Sequence, residues 1–436
     1  MTRTLICLAA LIAAVPASPL RLAEAAAQDT VHVGVDYVTG ALPGLVVLPG
    51  AGIDSVRAIV RRDLDFSDRF EMVGDPNSTT SDSSAGPVNY GIYKTLGANF
   101  AVELAEAPGG VTARLHDVGG SRVTNQQLFP LPPVTDAGFR LEVHRLSDEI
   151  ARWATGTAGT AASRLLFVSG GRIYRIDSDG VDLTPLTPAG ETSLSPAWSP
   201  DGQRFAYTQL GAGRGGVVVQ DLATGAQTPV PGTQSGLNIT PVFSPDGKTL
   251  AYAHSDETGT DIYSANFMDR CCAQRLTVGR YADNLSATFS PDGRRIAFVS
   301  TRAGPPQVYV MAADGTDQEL LAPFDFGATG ASNAPEWSPD GANVVFHREM
   351  AGSPQLFLVD VSRRGLRPIT SAGRNEDATW APDGRHIAFV SDRSGVRQLW
   401  VIDIETGRVR QIRTPGAARL PAWSRRLGRT AVASNP

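Results

Sequence analysis

Five times in this chain an aromatic residue runs directly into a Ser-Pro-Asp-Gly or Ala-Pro-Asp-Gly turn. The copies are Trp198-Ser199-Pro200-Asp201-Gly202, Phe243-Ser244-Pro245-Asp246-Gly247, Phe289-Ser290-Pro291-Asp292-Gly293, Trp337-Ser338-Pro339-Asp340-Gly341 and Trp380-Ala381-Pro382-Asp383-Gly384. A sixth, Trp423-Ser424-Arg425-Arg426, keeps the spacing and loses the turn; the aromatic anchors lie 45, 46, 48, 43 and 43 residues apart. Proline presets φ at the first corner and glycine accepts positive φ, so each copy ends a strand in a tight turn. A period of roughly 40–50 residues with several short strands per unit is that of a β-propeller blade.

The third copy shows the unit. After Phe289 come an apolar strand, Ile296 to Ser300, a polar turn, a second run, Gln307 to Met311, and a weaker strand ending near Leu321. The other copies repeat this: Phe205 to Thr208, Leu250 to Ala253, Val344 to Phe346 and Ile387 to Val390 fill the second-strand slot, and Val217 to Val219, Ile262-Tyr263, Leu356 to Val359 and Leu399 to Ile402 the third. Nearly continuous apolar runs suit strands covered on both faces. Before the first anchor stands an unaccompanied set, Leu165 to Ser169, Ile173 to Asp177 and Leu183 to Thr187, whereas the chain almost ends after the last anchor. The closing blade is therefore expected to be split, its inner strand from about 419–424 and its outer strands from 164–187, which hides the edges of an open ring. Thr430 to Ser434 is read as a loose tail. The fold class expected is a small α/β N-terminal domain followed by an all-β six-bladed β-propeller with a split closing blade.

Residues 1–27 read as a secretory signal, with Arg3, an apolar stretch from Leu5 to Val15 and Ala25-Ala26-Ala27; cleavage is expected near Ala27, and the apolar run is too short to span a bilayer. The formal net charge of −5 lacks the basic footprint of a nucleic-acid binder. Beyond Cys7 the only cysteines are Cys271 and Cys272, read as two thiols or an outer-turn bridge without function. Residues 28–155 have an α/β rhythm: alternating Val31, Val33 and Val35; a strand, Leu45 to Leu48; a helix carrying Ile53, Val56, Ile59, Val60 and Leu64, capped by Asp54 or Ser55; a strand at Phe70 to Val73; a polar loop from Asn77 to Gly86; strands at Ala101 to Leu104 and Val111 to Leu115; and a helix from Leu141 to about Trp153. Residues 156–163 read as a linker and 164–436 as the propeller.

Enzyme signatures are weak. Gly50-x-Gly52 lacks the rest of a dinucleotide fingerprint. Asp177-Ser178-Asp179-Gly180-Val181-Asp182 resembles the start of a calcium loop without its terminal Glu, and Asp-Gly is ordinary hairpin chemistry. The six histidines share no metal-ligand spacing, and no Gly-x-Ser-x-Gly elbow exists. No catalytic, cofactor or metal residues are expected.

The leader, the α/β unit and the Ser-Pro-Asp-Gly repeats together resemble the TolB family, the periplasmic propellers of the Tol–Pal system. His144-Arg145-Leu146-Ser147-Asp148-Glu149-Ile150, with Thr155-Gly156-x-x-Gly159 and Ser163-Arg164-Leu165, is similar to the family's junction between domains, and Asp63-Leu64-x3-Asp68-Arg69-Phe70 to its first helix and following strand. The resemblance implies a non-enzymatic periplasmic adaptor, a monomer without cofactors. It would bind the peptidoglycan-associated lipoprotein Pal at the propeller mouth and TolA through the mature N-terminal arm, here Asp29, Val31, Val33 and Val35, in support of outer-membrane integrity and cell division. Aligned by anchor, the family's Pal contacts fall on Leu237, Thr240, Leu285 and Ser286. The loops entering each inner strand and those between second and third strands share the face opposite the Pro-Asp-Gly turns, which adds Asn238, Asn284, Asn333, Glu376, Arg302 and Arg393 as candidate partner residues. The rival readings are a secreted propeller enzyme acting on carbohydrate or peptide, which needs carboxylates converging at the mouth (Asp283, Glu376 and Asp377 being the candidates), and a ligand-sensing scaffold.

Overall fold

The computed structural model describes residues 42–74, 88–211, 214–233, 235–279, 281–324 and 330–428. The leader, the arm residues Asp29, Val31, Val33 and Val35, the stretch 77–86 and the tail 430–434 lie outside the described residues.

The first elements are β1 (Gly44–Val47), α1 (Asp54–Phe66), β2 (Glu71–Met72), α2 (Tyr90–Thr95), β3 (Ala98–Ala107), β4 (Gly110–Asp117), β5 (Arg122–Pro130) and α3 (Phe139–Thr155). They form a mixed sheet in the order β2-β1-β3-β4-β5, with β1 parallel to both neighbours and the rest antiparallel. The helices α1 and α3 pack together, α1 burying Val56, Ile59, Val60 and Leu64 at helical spacing and α3 burying Val143, Leu146 and Ile150. Three details differ from the sequence reading. Helix α1 starts on Asp54 with no side-chain cap, because that carboxylate lies in the first turn, where the helix dipole favours it. The short α2, capped by Asn89 on the Ile92 N–H, and the polar β5 carry no apolar period, so only their neighbours define them. The linker is not slack at its end: the buried Asp148 carboxylate accepts from the Ala161 and Ala162 N–H groups at 2.7 and 3.0 Å, and Ala162 and Ser163 are buried.

From Arg164 onward the described residues are arranged in β-sheets. Four sheets have four strands each, and an eight-stranded sheet consists of two such antiparallel meanders joined by one parallel pairing, Gly215 with Leu237. The inner strands are Thr192–Trp198, Leu237–Phe243, Asn284–Phe289, Ser332–Trp337, Asn375–Trp380 and Ala418–Trp423. The last of these pairs with Arg164–Ser169, so one sheet is assembled from both ends of the region, as the unaccompanied strands require. Each of Phe243, Trp337, Trp380 and Trp423 packs among residues of its own four-stranded meander and the preceding one. The turn serine works as a clamp. Ser199 Oγ donates to Asp201 Oδ1 and accepts the Arg204 N–H, and Ser244, Ser290 and Ser338 repeat both bonds.

Candidate functional site

Antiparallel pairing puts the Pro-Asp-Gly turns on one face and the loops entering the inner strands on the other. At that second mouth Asn238, Asn284 and Asn375 are fully buried. The amide of Asn238 bonds the carbonyls of Gly215, Thr233 and Ser235, that of Asn284 the carboxylate of Asp261, and that of Asn375 Gln355 Oε1 and the Ala372 carbonyl. Their carbonyl oxygens are also taken: Arg302 donates to Asn284 at 2.9 Å, Arg393 to Asn375 at 2.8 Å, and His254 Nδ1 lies 2.9 Å from Asn238. Asn238 and Asn284 therefore cannot face a partner, which corrects their assignment; they staple neighbouring sheets, since a buried amide must spend its donors internally. Arg302 and Arg393 do reach the surface, each guanidinium lying over two aromatic rings, Phe298 and Tyr309 in one case and Phe389 and Trp400 in the other.

Leu237, Thr240, Leu285, Ser286, Asn333 and Glu376 remain at least partly exposed, with Glu376 paired to Arg397 at 3.0 Å. Thr240 and Ser286 belong to a ring of bulges. In every inner strand the register shifts at one site, where Ser195, Thr240, Ser286, Ala334, Asp377 or Leu420 holds a positive φ of 49–54°. The ring is linked around the mouth, Ser286 N–H donating to Thr240 Oγ1 and Leu420 N–H to Asp377 Oδ2. Beside the expected Leu237, the exposed apolar residues Val278, Tyr281, Met350 and Val396 share this face, and sequence reading missed these four. Val278, Tyr281 and Val396 lie in loops and Met350 at the end of a strand, where no periodicity marks them.

Between bulges and turns runs a channel of about 780 Å³, lined by the inner strands. Its wall holds Glu336, also missed, at the position before the anchor where the other copies have Ala, Val or Thr. Burial pushes the Glu336 carboxyl up to about 7, against hydrogen bonds from the Trp380 N–H and the Thr379 hydroxyl. The raised value means that ionisation opposes folding: the cost builds as pH rises from about 4.5 to about 7 and levels off near 3 kcal/mol at most. Glu336→Gln, which retains an acceptor oxygen, should therefore melt a few degrees above the wild type at pH 8 and level with it at pH 4; equal melting at pH 8 would show that the carboxyl ionises freely. Among the enzyme reading's three candidates, Glu376 is ion-paired and the Asp377 carboxyl is raised by burial and accepts from Leu420, while Asp283 is exposed outside the channel.

The turn face carries the α/β unit, held by two buried ionic clusters. In one, His144 of α3 places Nδ1 2.8 Å from Asp63 of α1 and Nε2 3.6 Å from Asp177 of the propeller. Arg140 reaches Asp177 and Asp179, Arg62 reaches Asp179, and Arg164 reaches Asp177. The carboxylates that resembled a calcium loop thus face protein cations. In the other cluster His386 lies between Asp68 and Asp383, and Arg385 bridges Asp403 and the Asp68 carbonyl. Here the turn serine is replaced by Ala381, and His386 supplies the bond to Asp383 instead, which frees this turn to dock. Of the remaining described histidines, His116 bonds Tyr90 and Glu103, and His347 accepts from the Asp377 N–H. Cys271 and Cys272 form a disulfide in an outer strand.

A ring of sheets with an α/β unit clamped on the turn face and a free, loop-built mouth opposite defines a two-part propeller protein. The chain belongs to the TolB propeller family: residues 153–325 and 326–435 match the family model described as the TolB beta propeller domain. A protein TolB homolog from Chlorobium luteolum is 31% identical over 262 residues, 58% of this chain and 58% of that protein. The Tol-Pal system protein TolB from Bordetella parapertussis is 28% identical over 293 residues, 64% of this chain and 65% of that protein. The chain thus spans under two thirds of the length of these curated relatives. The crystal structure of TolB from Acinetobacter baumannii superposes with a TM-score of 0.76 at 23% identity, over 88% of this chain and 97% of that one, and shares the fold. No helix among the described residues is long and apolar enough to cross a membrane.

Proposed function

We propose that this protein is a non-enzymatic periplasmic adaptor of the Tol–Pal system, with its leader cleaved near Ala27. The eight-stranded sheet counts as two blades, so the ring has six, and the α/β domain ends near residue 155. The mouth opposite the α/β unit receives the lipoprotein Pal, and the arm bearing Asp29, Val31, Val33 and Val35 receives TolA, in support of outer-membrane integrity and cell division. The observation that carries this reading is the free mouth itself. Its loops are tied by buried Asn side chains and by the exposed Arg302 and Arg393, and apolar residues stand exposed among polar ones, as in an interface core within a polar rim. The contact set is Leu237, Thr240, Leu285, Ser286, Asn333 and Glu376, with Arg302 and Arg393 at the rim.

The test is capture from periplasmic extract with the mature protein as bait. The wild type should retain the peptidoglycan-associated lipoprotein, and Thr240→Arg/Ser286→Arg should lose it at an unchanged melting temperature. Failure of the wild type to retain it would overturn the reading.

A further inference from the structure

Of the large apolar side chains among the described residues, Val278 at 80% and Tyr281 at 93% are the most exposed. Both stand in one loop of the free mouth, between the outer strand Cys271–Arg275 and the inner strand Asn284–Phe289. Tyr281 has a φ of 62°, in the left-handed region that a bulky side chain avoids. An exposed aromatic held in that conformation needs support from the surrounding structure.

The residues on either side of Tyr281 are tied to a buried carboxylate. Asp261, 3% exposed, accepts from Thr277 Oγ1 at 2.6 Å, the Gly279 N–H at 3.1 Å and Asn284 Nδ2 at 2.9 Å, and from Arg275. Asn284 is in turn held by Arg302, and Asp283 pairs with Thr260 of the neighbouring sheet while its N–H donates to Thr301. At the matching corners the amides of Asn238 and Asn375 bond carbonyl or amide oxygens; only the Asn284 corner gathers its donors on a carboxylate. Thr277, Gly279, Asp283 and Asn284 are therefore fixed on folding, and the two apolar side chains among them are presented at little further entropic cost.

We propose that Val278 and Tyr281 are the principal anchor of this mouth on its protein partner, a deepening that rests on the adaptor reading above. Tyr281 inserts its ring into an apolar depression on a folded domain, Val278 packs beside it, and Leu237 adds apolar surface from the neighbouring sheet. The occupant is a folded protein because a small aromatic knob among polar, mixed-sign loops (Glu257, Asp283, Arg302) matches an interface core with its polar rim. Asp261 is a positioning residue, buried and acting through the loop.

The experiment measures binding of the purified soluble domain of the peptidoglycan-associated lipoprotein by calorimetry and dissociation kinetics. Its arms are the wild type, Val278→Ser/Tyr281→Ser, Asp261→Asn and Thr240→Arg/Ser286→Arg. Val278→Ser/Tyr281→Ser should weaken binding about 30-fold or more, mainly through faster dissociation, with the melting temperature held within about 2 °C. Asp261→Asn should weaken it about three- to tenfold, an effect that should vanish in the Val278→Ser/Tyr281→Ser background. If the wild type binds and Thr240→Arg/Ser286→Arg does not, while Val278→Ser/Tyr281→Ser stays within threefold, the anchor is overturned and the adaptor reading stands. If the wild type does not bind, both fall.

Discussion

Trp423→Ala should lower the unfolding free energy by about 3–5 kcal/mol, the cost of truncating a large aromatic in a packed core. Trp423 is 7% exposed and sits among Leu165, Phe167 and Ile176 of its own sheet and Ala388, Val390 and Val401 of the preceding one. Its indole N–H donates to Ser163 Oγ at 2.8 Å, so the substitution also strips a buried hydroxyl of a partner. The position is more sensitive than the other anchors because the strand Ala418–Trp423 joins the two ends of the region. Amide exchange in Arg164–Ser169 should accelerate more than in any other second strand, since loosening this pairing opens the ring into a row of sheets with free edges. Trp198→Ala, at a half-buried anchor, should cost less. Urea unfolding measures both; a loss under about 1 kcal/mol for Trp423→Ala would mean that closure does not depend on the sheet shared between the ends.

The second large effect is expected at His144. Both ring nitrogens face carboxylates, so both donate and the ring is an imidazolium. Burial acts to lower its pKa, but Asp63 and Asp177, with Asp179 nearby, outweigh this and raise it to about 10. A pKa raised above the unfolded value of about 6.5 gives stability that is fully present below pH 6.5 and is lost as pH rises toward 10. His144→Ala leaves Asp63 buried without its cation and should cost about 3–5 kcal/mol at pH 6. The wild type should lose most of that advantage between pH 6.5 and 10, so the two stability curves converge. A constant gap between them across this range would show that His144 is neutral and serves only to fill space.

The strand slots, the turns and the two-ended sheet were legible because each repeat states its own period, and Pro, Gly and the aromatic anchor act within a few residues. The Ser-Pro-Asp-Gly turn even carries its reason in sequence, since its serine bonds within five residues of itself. The mouth was legible as a face but not residue by residue. Asn238 and Asn284 look like polar loop residues, and only the packing of neighbouring sheets turns them inward. Glu336 gave a faint signal, a charge at a position otherwise filled by Ala, Val or Thr; its raised pKa is a property of the channel wall. Val278 and Tyr281 gave none, because exposure in a loop has no pattern.

The sequence by itself determined the repeat, the split sheet and the position of the α/β unit ahead of the propeller, all of which rest on local turn chemistry and strand periodicity. Tertiary structure alone decided which polar residues are spent in staples, and that His144 and His386 each sit between two carboxylates, Asp63 and Asp177 for one and Asp68 and Asp383 for the other. It also decided that the α/β unit leaves one mouth free. Those outcomes join side chains up to 318 residues apart. Burial sets their energies, and burial is fixed only once the ring has closed.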